Sequence, residues 1–488
     1  MYLGLDLGTS GLRAIVLRAK DGAVLASSNQ PYSVAHPHAG WSEQNPADWV
    51  QACNDAVTEL KQQAPEAVAG IKGIGISGQM HGAVLLDESG AVLRPCILWN
   101  DTRAASEAAK LDSDPDFRAI SGNIVFPGFT APKLMWCARH EPDIFARVAK
   151  VLLPKDYLRY WLTGAYIGDM SDAAGTSWLD VGARQWSASL LAKSGMRRDQ
   201  MPELVEGSAA SGQVRAEILR AWGLGGPVVV AGGGGDNAAA ACGTGCLSEG
   251  SGFVSLGTSG VLLAARGSFA PAPETAVHTF CHAVPGRWYQ MGVILAATDA
   301  LNWLSGNLGQ SPEALSMLTG DALAAPSNVL FLPYLSGERT PHNDARIRGA
   351  FIGLDISTGP AELTRAVMQG VAFALRDSLE ALKTTGAGLS RLLAIGGGAQ
   401  SDYWLKLLAT VLDLPLDLPK SGELGAALGA ARLALLADTG ADPESVITPP
   451  EVARTITPDP AFTAPYEAAY LRYRALYPAL KPFSGDPA

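Results

Sequence analysis

The sequence is poor in charge. Only 17% of its 488 residues are Asp, Glu, Lys or Arg, and the balance is acidic, with a formal net charge of -10. A chain that grips nucleic acid needs a basic face, so this composition argues against such a partner, though not against a small anion held in a locally basic site. Long apolar runs are missing too. None reaches the roughly 18 residues that a membrane-crossing helix needs, and no membrane partner is expected. The six cysteines, Cys53, Cys96, Cys137, Cys242, Cys246 and Cys281, are scattered along the chain. Reduced thiols in a cytoplasmic protein are the expectation. Met1 leads straight into a strand-like run ending at Asp6, without the charged and apolar regions of a signal peptide. No G-x-x-x-x-G-K-[ST] occurs, which excludes the P-loop way of holding a nucleotide.

What is present is apolar sequence in regular alternation. Hydrophobic residues make up 48% of the chain, enough for a large core divided among two or three domains. Short apolar runs at 71–76, 151–153, 228–231, 329–332 and 392–395 read as strands. Residues 47–62, 362–382 and 402–412 have helical length and spacing. That alternation predicts an α/β fold. Pro and Ala cluster at 269–273 and 448–465, which read as surface connections. Tyr466, Tyr470, Tyr473 and Tyr477 form a stripe at helical spacing, expected of a docked amphipathic helix.

One pentapeptide, Leu-Gly-Thr-Ser-Gly, occurs at 7–11 and again at 256–260. Each copy lies between two apolar runs and predicts a hairpin with a tip of small residues. One such tip is ordinary turn chemistry. Two in matching contexts point to a duplicated device and two lobes, here placed at 1–243 and 244–488. Backbone N–H groups at such tips cradle anions. Thr9, Ser10, Gly257 and Thr258 are the candidate phosphate contacts, one hairpin from each side of a polyphosphate. The copies differ where Asp6 precedes the first and Ser255 the second. A carboxylate beside a phosphate cradle calls for a divalent cation between them, so Asp6 is the candidate ligand of Mg²⁺, directly or through water.

Two more glycine clusters follow strand-like runs. The first is Gly396, Gly397 and Gly398, ahead of a helix with Ser401 and Asp402 at its start, a common setting for nucleotides. The other is Gly232 to Gly235, which runs into Asp236 and Asn237. Asp236 suits a helix N-cap. Between two lobes it also suits a general base that accepts a hydroxyl proton during phosphoryl transfer. Two patterns mislead. Residues 73–78 fit G-x-G-x-x-G, but a strand-like run follows where a dinucleotide fingerprint needs a helix. His278, Cys281 and His282 lack a clear fourth ligand and read as packing residues, not zinc ligands.

At this point the chain resembles the FGGY family of carbohydrate kinases, over nearly all its length and less clearly after about residue 436. Residues 349–354, 362–363 and 366–369 fit the family's C-terminal signature, and 128–136 its N-terminal one, with Cys137 where an aliphatic residue is usual. One glycine more than usual precedes the acid, so Asp236 and Asn237 anchor the comparison. Segments 40–44, 78–82, 98–101 and 332–341 resemble the members that phosphorylate D-xylulose. The resemblance implies a two-lobed actin/Hsp70/hexokinase-like fold built from duplicated ribonuclease H-like domains. It implies ATP and Mg²⁺ as cofactors, and a homodimer. Met80, His81, Asp236, Asn237, Trp99 and Asp101 would meet the sugar. Thr9, Thr258, Gly397, Gly398 and Asp402 would line the nucleotide site. The alternatives are a kinase for ribulose, gluconate or glycerol, or a non-kinase ATPase of the same fold. Too little chain follows Gly398 for a chaperone's peptide-binding domain.

Overall fold

The computed structural model describes residues 1–420 and 425–484. Two seven-stranded sheets carry it. From one edge, the first runs Ala23–Pro31, Gly11–Arg18, Tyr2–Leu7, Gly73–Gly78, Val229–Ala231 and Ala210–Gln213, with Gly234–Gly235 also paired to Gly73–Gly78. An antiparallel meander comes first. Next lie two strands parallel to Tyr2–Leu7, and an antiparallel edge strand ends the sheet. The second sheet runs His278–Cys281, Trp288–Ile294, Gly260–Arg266, Gly252–Leu256, Leu392–Ile395, Leu416–Pro419 and Val452–Ile456. It repeats the plan with one strand more in the antiparallel set, in which Trp288–Ile294 lies between Gly260–Arg266 and His278–Cys281, then two parallel strands and an antiparallel edge. In each sheet the pentapeptide is the turn between the innermost pair of the meander. The duplication read from ten residues therefore extends to whole sheets.

Local chemistry explains the helices that cover them. Pro46–Gln63 starts where the Asn45 side chain caps Ala47 N–H, and it buries Trp49, Cys53, Val57 and Leu60 at helical spacing. Asp402–Leu412 starts at the Ser401 hydroxyl, which caps Trp404 N–H. The tyrosine stripe docks as expected. Tyr466, Tyr470 and Tyr473 of helix Pro460–Arg474 are buried, and the Tyr470 hydroxyl donates to Asp377 at 2.6 Å. Tyr477 lies on the next short helix.

The two halves of the chain interlock. Helix Ala426–Thr439, from the second half, lies against strands Tyr2–Leu7 and Gly73–Gly78 of the first sheet and against helix Asp236–Thr244. In return, Asn123 bonds both the N–H and the C=O of Thr279 on the edge strand of the second sheet, each at 2.9 Å. Two expected surface connections need correction. Phe269 packs on Gly122 and Gly182, and Ala272 is buried, because the aromatic ring closes a gap beside the meander. Within 448–465, Val452–Ile456 is an edge strand free of proline, and Pro460 opens a helix, where proline is at home at N1. The expected packing role of the His278 cluster fits the structure, where all three residues are buried. The six cysteines are buried and free. Among the described residues no helix is long and apolar enough to cross a membrane.

Candidate active site at the strand ends

Three parallel strands of the first sheet end at one level. Leu7, Gly78 and Gly235 lie side by side in register, so residues 8–10, 79–81 and 236–237 leave the sheet together. Ligands of open α/β sheets bind at such carboxyl ends. The register thus brings Asp6, Thr9, Ser10, Met80, His81, Asp236 and Asn237 into one place from three distant parts of the sequence.

The first hairpin tip is braced. Gly8 N–H donates to Gly11 O at 3.0 Å. The Thr9 hydroxyl donates to Gln79 Oε1 at 3.1 Å, the Gln79 amide to Gln44 Oε1 at 2.9 Å, and the Gln44 amide back to Thr9 O at 2.7 Å. That closed ring fixes the tip before any ligand arrives. Trp99 is 45% exposed at the rim, and its indole N–H donates to Thr9 Oγ1 at 2.9 Å. Asp101 does not share this exposure. Its carboxylate accepts from Ser42 N at 2.7 Å and from Arg103, and it is 1% exposed. It fixes the Trp99 segment from behind and has no surface to offer a sugar, which corrects the expectation for that residue.

Asp236 is the first residue of helix Asp236–Thr244, and Gly235 occupies the cap position. The N-cap reading is therefore wrong by one residue. Asn237 donates its backbone N–H at 2.7 Å and its side-chain amide at 2.9 Å, both to Asp236 Oδ1; Oδ2 has no protein donor among the described residues. Burial and then the charge of Asp6 push the Asp236 carboxyl up to about 6. Asp6 itself is raised by burial, against the Ser77 hydroxyl at 3.0 Å and the charge of Arg13. A carboxyl raised by burial and by the charge of a second carboxylate across a strand is an acid–base arrangement.

The glycines before Asp236 serve close approach. A Cβ on Gly232 would stand 2.3 Å from Glu206 O, and one on Gly233, at φ +74°, 2.1 Å from Ile76 O. Buried polar groups missed in the sequence hold both ends of that turn. Arg159 donates to Gly232 O at 2.9 Å, and Gly235 N–H donates to the Ser171 hydroxyl at 3.2 Å. Ser171 in turn donates to Asp169 at 2.5 Å, and Lys155 pairs with Asp169 at 2.7 Å. No spacing signal marks these residues, since they lie on separate elements and meet only in the fold. Asp156, Asp169 and Asp172 are close enough together to hold an ion. Lys155 and Arg159 already pair with Asp156 and Asp169 among them.

Met80 is buried against Gly235. His81 has φ +70° and stacks on Phe129 with ring centres 4.4 Å apart. Its Nδ1 lies 2.6 Å from Gly175 O. A carbonyl only accepts, so Nδ1 carries the proton and Nε2 is left as an acceptor. Burial, followed by the nearby cations, lowers His81 to about 3 despite that bond. The ring is neutral at neutral pH.

In the second sheet, Ser255 and Ile395 are paired in register, so Gly257, Thr258 and Gly396 to Gly398 also emerge together. Thr298 joins them, with its hydroxyl on Gly257 O at 2.8 Å. It also lines a cavity of about 610 Å³ with Gly397, Gly398, Asp402, Met368 and Tyr403. Asp402 is held there by Arg454. A recess of about 660 Å³ beside Asp87 and Arg197 shares no residue with either site.

Known proteins resemble this chain throughout. The profile of the FGGY family of carbohydrate kinases, N-terminal domain, matches residues 1–243, and that of the C-terminal domain matches residues 252–437. A xylulose kinase of Escherichia coli (strain K12) is 46% identical over 488 residues, covering 99% of both chains. Among solved structures, a xyloylose kinase from Brucella ovis is 59% identical with a TM-score of 0.97, and the xylulose kinase from Rhodospirillum rubrum is 32% identical with a TM-score of 0.91. Each covers 99% of this chain and is itself 99% covered. The two-lobed sugar-kinase fold, of the actin-like ATPase type, is thereby shared across the whole length. With both domain profiles matched and relatives aligned end to end, the chain belongs to the FGGY family of carbohydrate kinases and is a sugar-phosphorylating transferase.

Proposed function

We propose that the protein transfers the γ-phosphoryl group of ATP to D-xylulose, giving D-xylulose 5-phosphate and ADP. The observation that carries this reading is the meeting of Asp236, Asp6 and the Met80–His81 pair at one row of strand ends, together with the full-length likeness to proteins named xylulose kinase. Asp236 accepts the proton of the sugar's C5 hydroxyl through its open Oδ2. Met80, His81, Asn237 and Trp99 bound the sugar. Thr9 and Ser10 on one side, and Gly257 and Thr258 on the other, hold the phosphates. Gly397, Gly398 and Asp402 hold the adenosine in the 610 Å³ cavity. The charge of Asp6 felt at Asp236 fits a divalent cation. Asp6 would hold Mg²⁺, which when bound neutralises charge on the transferring phosphates. The lobes divide at 1–243 and 244–488, with helix Ala426–Thr439 crossing to the first sheet. A cytoplasmic homodimer completes the reading, with exposed Ile352, Leu354 and Ile356 as apolar surface for the second copy. Sedimentation at micromolar concentration tests that state.

A coupled assay for ADP across D-xylulose, ribulose, gluconate and glycerol tests the reaction. The expected result is a kcat/KM for D-xylulose well above the others, since a site built around hydroxyls rejects analogues that lack them. Equal or better use of any of the other three overturns the choice of sugar. The two hairpins must also approach one another to share one triphosphate. Solution scattering with D-xylulose and a non-hydrolysable ATP analogue should therefore give a smaller radius of gyration than the free protein; no change with both ligands saturating counts against the shared phosphate site. For Asp6→Asn, the activity loss should depend on which divalent ion is supplied and at what concentration. A loss identical in Mg²⁺ and Mn²⁺ at every concentration removes Asp6 from the metal.

A further inference from the structure

Segment 332–341 has so far been given no task, yet its backbone is zipped onto strand Trp288–Ile294. Thr340 N–H donates to Val293 O, and Val293 N–H to the Thr340 hydroxyl, both at 3.0 Å. Glu338 spends its carboxylate on backbone groups, accepting from Leu295 N at 3.1 Å and Arg339 N at 2.7 Å. Arg339 is thus fixed between two anchored residues. Its guanidinium lies 4.4 Å over the Phe126 ring. From there an aromatic wall runs to the sugar residues: Phe126 packs on Phe129 at 5.4 Å, and Phe129 stacks on His81 at 4.4 Å.

Among the described residues no acceptor bonds that guanidinium, whose only side-chain contact of note is the Phe126 face. Burial pulls it down to about 10, and it is one of the cations that hold His81 neutral. At this half-buried position its five donors are open to a ligand. Arg339 and His81 are both only partly buried, between residues that are sealed. They form a matched pair, one offering only donors and the other, through Nε2, an acceptor.

We propose that Arg339 is a specificity-determining residue that donates to the ketone oxygen at C2 of the sugar, while His81 Nε2 accepts from the neighbouring C1 hydroxyl. This rests on the function proposed above. The orientation follows from the fold. Met80 touches Gly235, next to Asp236, and precedes His81, which assigns the reacting hydroxyl to Asp236 and the keto end to His81 and Arg339. An all-donor guanidinium suits a carbonyl oxygen. A C2 hydroxyl in its place must leave its own proton without a partner, which disfavours the sugar alcohol of the same length.

The test compares D-xylulose with xylitol in wild type, Arg339→Met and Arg339→Lys. Wild type should favour D-xylulose in kcat/KM. Arg339→Met should lose roughly 10–100-fold with D-xylulose, chiefly in KM, in line with one lost charged hydrogen bond. Xylitol should change by less than about 3-fold on the same scale, and the KM for ATP should hold. Arg339→Lys should recover part of the preference. The ratio of the two sugars does not depend on how much protein is folded, so partial misfolding leaves it readable. Equal losses with both sugars, or an unchanged ratio, overturn the role of Arg339 and leave the proposed function standing. A wild-type enzyme with no preference for the ketose sinks the proposed function itself.

Discussion

Asp236→Asn should bind MgATP almost as the wild type does and lose phosphoryl transfer to D-xylulose by roughly 10²–10⁴-fold, the range for a positioned general base. The hairpin tips, Asp6 and the 610 Å³ cavity are untouched by the change. The same carboxylate predicts the pH profile. Its raised value of about 6 comes from burial and Asp6, and the base must be ionised to work. kcat/KM for the sugar should therefore fall as pH drops through about 6, a limb that Asp236→Asn lacks. Stability moves the opposite way. The folded state holds this proton more tightly than the unfolded chain, with its ordinary value near 3.8. The stabilisation is complete below the unfolded value and is lost as pH rises through the folded one. Above that pH the wild type carries a repelled, buried charge. Asp236→Asn should melt at or above the wild-type temperature there, as expected where stability has been given up for activity. If Asp236 merely supported the helix start, its replacement would lower the melting temperature and spare the rate. Stopped-flow nucleotide binding, initial rates and melting curves between pH 5 and 9 separate the two, and near-normal turnover in a folded Asp236→Asn protein would falsify the assignment.

How much of this was legible in the sequence follows from where each signal lives. The hairpins show because a five-residue string recurs, and the strands near 228 and 392 show because apolar runs end in glycine. Helix 402–412 shows because Ser401 caps it and its inner face repeats at helical spacing. Helix Ala426–Thr439 leaves no such trace. It is buried on several sides, between the first sheet and helix Asp236–Thr244, so its composition is uniformly small and apolar, without the two-faced period that betrays a surface helix. The clamp of Arg159, Ser171 and Asp169 on the glycine turn is equally silent, since three elements must fold before those groups meet. Asp101 was misplaced for a related reason. Its neighbour Trp99 does face the cleft, but Arg103, two residues on, turns the carboxylate inward, and a motif does not record which way a side chain points.

Gly75→Ala should be among the most destabilising single-methyl changes in the protein. A Cβ on Gly75 would stand 1.8 Å from Ala430 O, and one on Gly4 would stand 2.0 Å from Ala427 O, both on the helix that crosses from the second half of the chain. From the other side of that helix, a Cβ on Gly429 would stand 1.8 Å from Ala239 O, in the helix that Asp236 begins. The obstacles are backbone atoms hemmed in on both faces, so no rotamer change relieves them. Overpacking of this kind costs about 3 kcal/mol or more, on the order of 10 °C in melting temperature for a large domain. This also accounts for the misleading G-x-G-x-x-G. Gly73 and Gly75 admit a helix to the face of the sheet, since a Cβ on Gly73 would stand 3.1 Å from Ala434 O, where the dinucleotide motif would admit a pyrophosphate. Because the same helix spans the first sheet and the helix of Asp236, a forced shift at Gly75 should disturb catalysis along with stability. Gly226→Ala is the control, since nothing lies within 4 Å of its added methyl and its φ is ordinary. Melting temperature, limited proteolysis and kcat for the two variants decide the matter. A Gly75→Ala protein that melts within 2 °C of Gly226→Ala, a margin of about 1 kcal/mol at most, shows that the seam yields where the geometry says it is full.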